Sequence, residues 1–135
     1  MKITSLNKYI FLFVTIFIFA FYNNTFSNTY YHNGSGGLED SSSWFDTSDF
    51  SGSNGYSPTS GDVGVIQSGI TVNDNGGPII YYALSVNAGG VLNLNNGLSM
   101  SAGSGNQIEG EMNLSGGTLT IGGDITLVGG TINLT

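Results

Sequence analysis

The chain has 135 residues, of which 22 are glycine, two are lysine and nine are acidic, for a net charge of −7. Glycine is well above its usual share of about 7%, yet charged residues are 8% and hydrophobic residues 39%, which excludes the low-hydrophobicity, high-charge composition of a disordered chain. Two prolines and no glycine at every third position exclude a collagen-like helix, and the lack of cysteine excludes both a disulfide framework and a thiolate metal site.

The length is that of one domain. Both basic residues, Lys2 and Lys8, stand at the start, and all the acids follow from Glu39 onward. Residues 9–22 form an unbroken apolar run of 14. A basic start followed by roughly 7–15 apolar residues predicts a secretory signal peptide, here residues 1–27 with cleavage after the small-x-small triplet Thr25-Phe26-Ser27. A membrane-spanning helix needs about 20 such residues. After cleavage the chain keeps every acid and no Lys or Arg. Nucleic acid and anionic lipid are therefore excluded as partners, because affinity for phosphate comes from Lys and Arg. Arginine clamps and a P-loop lysine are equally excluded.

Residues 28–61 are rich in Gly, Ser and Asp, with Tyr30, Tyr31, Trp44, Phe45, Phe50 and Tyr56 scattered among them. Turn-formers on this scale predict loop with one or two short strands. From residue 62 to 135 the texture becomes a series of short alternating runs separated by Gly and Asn. They include Val63 to Ile66, Ile70-Thr-Val72, Ile79-Ile-Tyr81, Leu84-Ser-Val86, Leu98-Ser-Met100 and Ile125-Thr-Leu127. A two-residue period marks a half-buried strand. One phrase recurs: Gly90-Val-Leu-Asn-Leu94, Gly110-Glu-Met-Asn-Leu114 and Gly130-Thr-Ile-Asn-Leu134 begin 20 positions apart. Leu98-Ser-Met100 returns as Leu119-Thr-Ile121 after 21. Two or three strands per period fit one coil of a parallel β-helix, an all-β solenoid whose coils stack about 4.8 Å apart. Leu92, Met112 and Ile132 should then form one inward column, and Leu94, Leu114 and Leu134 another. Asn93, Asn113 and Asn133 should face outward as an amide ladder.

These phrases, with Tyr30-Tyr31, Ser43-Trp44, Gly61-Asp62-Val-Gly-Val-Ile66 and Gly69-Ile-Thr-Val72, make the chain resemble secreted bacterial parallel β-helix repeat proteins, adhesin-like or autotransporter-like. The resemblance implies that residues 28–61 form an aromatic N-terminal cap on the first coil. Such relatives are long, so it also implies a C-terminal truncation at residue 135 and an open coil suited to end-to-end self-association.

The chemical inventory is thin. His32 is the sole histidine and reads as a solvated loop residue. Glu109 and Glu111 flank Gly110 at strand spacing and Asp46 and Asp49 share a loop; both pairs read as solvated or turn-forming acids rather than a glycosidase dyad. Asp46-Thr-Ser-Asp49 is not an EF-hand, and no calcium-binding nonapeptide recurs. Trp44, Tyr31 and Tyr56 could form a sugar-stacking platform, but covering the first coil is the favoured role. Threonine is missing from the row of Asn93, Asn113 and Asn133, against an ice-binding face. No catalytic residue, metal ligand or cofactor is assigned, and ligand-binding residues stay open. The expected function is a non-enzymatic secreted or cell-surface scaffold, an adhesin-like module that meets a neutral glycan or another surface protein. The alternative is the N-terminal part of a carbohydrate-active β-helix enzyme, a polysaccharide lyase or hydrolase with its active site beyond residue 135.

Overall fold

The computed structural model describes residues 27–101 and 105–135. The expected signal peptide thus lies outside the described residues, apart from Ser27. In chain order, β1 (Thr29–His32) and β2 (Trp44–Phe45) flank a 3-10 turn at Ser41–Ser43. The first coil holds β3 (Val63–Ile66), β4 (Thr71–Asp74) and β5 (Ile79–Ile80). The second holds β6 (Ala83–Val86), β7 (Val91–Leu94) and β8 (Leu98–Met100). The third holds β9 (Asn106–Ile108), β10 (Glu111–Leu114) and β11 (Leu119–Ile121), and β12 (Ile125–Leu127) and β13 (Thr131–Leu134) begin another.

Strands one coil apart pair in parallel and build three sheets, ordered β12-β9-β6-β3-β1-β2, β13-β10-β7-β4 and β11-β8-β5. The chain is a parallel β-solenoid of about three turns. Within the four-stranded sheet the 20-residue period is unbroken: Val72, Leu92, Met112 and Ile132 stand directly over one another. Leu98 stacks on Leu119 and Met100 on Ile121, as the second repeat requires. Val72, Leu92, Met100 and Met112 are fully buried, and each such side chain contributes about 1.5–3 kcal/mol.

Outward from the same sheet run the asparagines. Asn93 Nδ2 donates to Asn73 Oδ1 at 2.8 Å, Asn113 to Asn93 at 2.9 Å and Asn133 to Asn113 at 2.7 Å. The ladder is one rung longer than the repeated phrase indicates, because Asn73 occupies the same place in β4. A second column forms beside it, with Asn95 donating to Asn75 and Ser115 Oγ donating to Asn95 at 2.8 Å. Glycine at the corner before β7, β10 and β13 is a matter of room. A Cβ on Gly90 would stand 2.8 Å from the carbonyl oxygens of Ile66 and Gln67.

One register differs from the expected alternation. Alternation in the run Ile79-Ile-Tyr81 implies that Ile79 and Tyr81 share the inward face, but they are 55% and 59% exposed while Ile80 and Tyr82 are buried. Residues 79–82 are all apolar, so alternation cannot choose between the two faces. Pairing of Ile80 with Met100 chooses, and a shift of one residue turns every side chain over. Asn106 is a further departure, a polar residue inside β9. Its Oδ1 accepts from Leu84 N at 3.0 Å and its Nδ2 donates to the Asp124 carbonyl at 3.0 Å, which satisfies the amide between coils.

Tyr82 enters the space left by Gly64, whose Cβ would lie 2.6 Å from the Tyr82 ring and 2.8 Å from Trp44. Among the described residues its buried hydroxyl has no hydrogen-bond partner. Gly64→Ala should therefore overpack this seat and lower stability by about 1–3 kcal/mol. Tyr82→Phe should raise it by about 1 kcal/mol, since it removes an unsatisfied buried hydroxyl. Urea denaturation of the two variants checks both signs.

Candidate functional site

The segment before the first coil lies against it through pairing and side-chain contact. β1 pairs in parallel with β3 and antiparallel with β2, so His32 stands between Ile66 and Trp44. His32 is completely buried, which corrects the expectation of a solvated loop residue. The strand alternation that points Ile66 inward points His32 inward too, and its ring meets Trp44 edge to face at 4.7 Å. A carbonyl can only accept, so the 3.1 Å contact to Gly37 O places the proton on Nε2. Nδ1 is then bare and accepts from Gly34 N at 3.0 Å. Burial lowers the His32 pKa below its ordinary 6.5.

Trp44 is likewise fully buried, donates from Nε1 to Leu38 O at 3.0 Å and meets Tyr82 edge to face at 5.6 Å. It is therefore unavailable to a sugar platform. Asp74 occupies the bottom of the Leu94–Leu114–Leu134 column, an inward carboxylate the repeated phrase gives no reason to expect. It accepts from Leu38 N at 2.6 Å and Gly76 N at 2.8 Å, tying the residue 37–38 backbone to the first coil. Parity with Val72 was the available signal for its inward direction.

The other aromatic candidates do meet. Tyr30, Tyr31, Tyr56 and Asp46 line an open cavity of about 520 Å³, together with Asn28 and neighbouring backbone. The Tyr30 and Tyr56 rings lie 5.0 Å apart, tilted by 30°, and Tyr56 Oη donates to Asp46 Oδ2 at 3.3 Å. Burial, with the nearby Asp62 carboxylate and Tyr56, raises the Tyr30 pKa, so this phenol stays neutral. Asp62 braces the rim by accepting from Thr59 N and Oγ1, both at 2.8 Å, and from Asn28 N at 3.2 Å. Burial raises the Asp62 pKa, but these hydrogen bonds outweigh it and hold the group below its ordinary 3.8. The cavity thus offers aromatic surface, hydroxyls that donate and accept, and one carboxylate that accepts a long bond from Tyr56. Those are the parts of a site for a small polar ligand with an apolar face.

The two glutamates lie in different elements. Glu109 lies in the corner after β9 and accepts from Gln107, whereas Glu111 begins β10 on the next sheet and accepts from Asn133 at 3.2 Å. Asp49 closes its own turn, accepting from Ser51 Oγ at 2.7 Å and Ser51 N at 3.1 Å, and Asp40 does the same with Ser42. Among the described residues no three His, Asp or Glu side chains converge on a common point. No family model, curated protein or solved structure matches the chain.

The titrations give a testable pH dependence. His32 protonates more readily unfolded than folded, so its stabilising contribution is intact above about pH 6.5 and declines as pH falls below that value. A second decline should follow below about pH 4, where Asp62, Asp40 and Asp49 take up protons more readily in the unfolded chain. Thermal melts between neutral pH and about pH 3 should show the midpoint falling in two stages. A midpoint constant between neutrality and pH 5 would contradict the burial of a neutral His32.

Proposed function

We propose that this chain is a non-enzymatic secreted or cell-surface scaffold, an adhesin-like β-helix module of the kind found among bacterial surface repeat proteins. The observation that carries the reading is the in-register stack of the four-stranded sheet, locked outside by four asparagines and inside by Val72, Leu92, Met112 and Ile132. A stack of this kind is stiff and keeps what it displays at fixed spacing. The displayed site is the tyrosine cavity, and its ligand is a neutral glycan. Sugar rings have apolar faces that stack on tyrosine and hydroxyls that pair with a carboxylate such as Asp46. The charge pattern supports a neutral ligand, since nine acids without a Lys or Arg beyond Lys8 repel anionic polysaccharide.

A glycan array probed with the purified chain tests the proposal. Neutral oligosaccharides should bind and acidic ones should not. Tyr56→Ala should weaken binding about tenfold, the value of roughly 1.4 kcal/mol of aromatic stacking, with the β-rich circular dichroism spectrum unchanged. Asp46→Asn should also weaken it. Binding indifferent to both substitutions would remove the cavity from the reading, and cleavage of a bound glycan would make the chain an enzyme.

A further inference from the structure

Four asparagines precede a glycine in this chain, Asn33, Asn54, Asn75 and Asn96, and the single histidine stands beside only the first. His32 Nδ1 accepts the Gly34 N–H at 3.0 Å, and its tautomer is held by the Nε2–H bond to Gly37 O at 3.1 Å. Asn33 Oδ1 accepts from Ser35 N at 2.9 Å and from Ser35 Oγ at 2.6 Å. Backbone N–H groups only donate, so the oxygen rather than the nitrogen of the Asn33 amide faces Ser35. The Ser35 N–H···Oδ1 bond closes an Asx turn, a ring containing both Asn33 Cγ and the Gly34 nitrogen. Gly34 has φ at +86°, a conformation open to glycine.

A base on a nucleophile and two donors on the oxygen of the adjacent carbonyl form the arrangement of an acyl-transfer site. We propose that Asn33-Gly34 is a self-modifying site, at which the His32 imidazole acts as general base for succinimide closure and deamidation of Asn33. Gly34 N attacks Asn33 Cγ while its proton passes to His32 Nδ1. Negative charge collects on Oδ1 and is met by Ser35 N–H and Oγ–H. The C–Nδ2 bond then breaks, the imidazolium returns its proton to that nitrogen, and ammonia leaves. Water opens the cyclic imide at either carbonyl, giving aspartate or its β-linked isomer. The balance is one water consumed and one ammonia released, with no oxidant or cofactor. Burial keeps His32 unprotonated at neutral pH, as a base must be. Ser35 lies at the surface, where water is at hand. The product adds a tenth carboxylate, and the imide removes the Gly34 N–H that His32 holds.

The test is timed incubation of the full purified chain between about pH 6 and pH 9, spanning the ordinary imidazole titration. Peptide mapping by mass spectrometry then follows each of the four asparagines. Asn33 should convert about a hundredfold faster than Asn54 and Asn96 near neutrality, the lower end of what general-base assistance supplies. Its rate should level off above neutrality, where the imidazole is fully bare, while those two rise with hydroxide. His32→Phe keeps an aromatic ring against Trp44 and should abolish the advantage with the circular dichroism spectrum preserved. Should that variant fail to fold, the pH profile of the unaltered chain decides alone. Asn33 converting no faster than Asn54 and Asn96, or climbing with hydroxide in parallel with them, would overturn the assignment.

Discussion

Parallel pairing in register is the constraint on which the whole molecule depends. When residue 112 must lie over residue 92 and under residue 132, each position meets its own equivalents above and below. An apolar residue then adds to an existing apolar column, and an amide adds a rung to an amide ladder. The benefit is cooperative, because one substitution leaves two neighbours without a match. It also explains the glycine content: coils this close leave no space for a Cβ where corner backbones cross, as at Gly90.

The same constraint defines where polar groups enter the interior. Asn106 replaces an aliphatic between Leu84 and Ile125, and is tolerated because its amide bridges the backbone of both neighbouring coils. At the first coil the columns run into Asp74 and His32. Both bond backbone from residues 34–38, and Asp74 also accepts from Gly76 N in its own coil. These polar contacts fix the irregular segment in position, and Trp44 fills the space above Gly64. The buried imidazole acquires its defined tautomer from this arrangement. An exposed histidine would exchange protons between its nitrogens and hold neither neighbour.

The regular and irregular parts divide the labour. The coils use their side chains on one another and offer flat, repetitive outer faces. Concavity and mixed chemistry occur where repetition stops, between Tyr30, Tyr56 and Asp46.

Much of this was legible in the residues alone. The period, the all-β class, the Leu92–Met112–Ile132 column and the outward asparagines follow from a repeated phrase, because identical spacing with alternating polarity has one economical winding. What repetition did not encode, tertiary structure decided. The uniformly apolar 79–82 segment took its facing from Met100 on the next coil. His32, Asp74 and Asn106 went inside because distant backbone supplied their hydrogen bonds. Tyr30 and Tyr56, 26 positions apart, came to stack at 5.0 Å, while Trp44 was withdrawn from the same aromatic set into the core. Local pattern reports which face a residue prefers. Only the pairing of remote segments reports which partner waits on that face, and so whether a polar group is exposed, satisfied in the interior or assembled into a site.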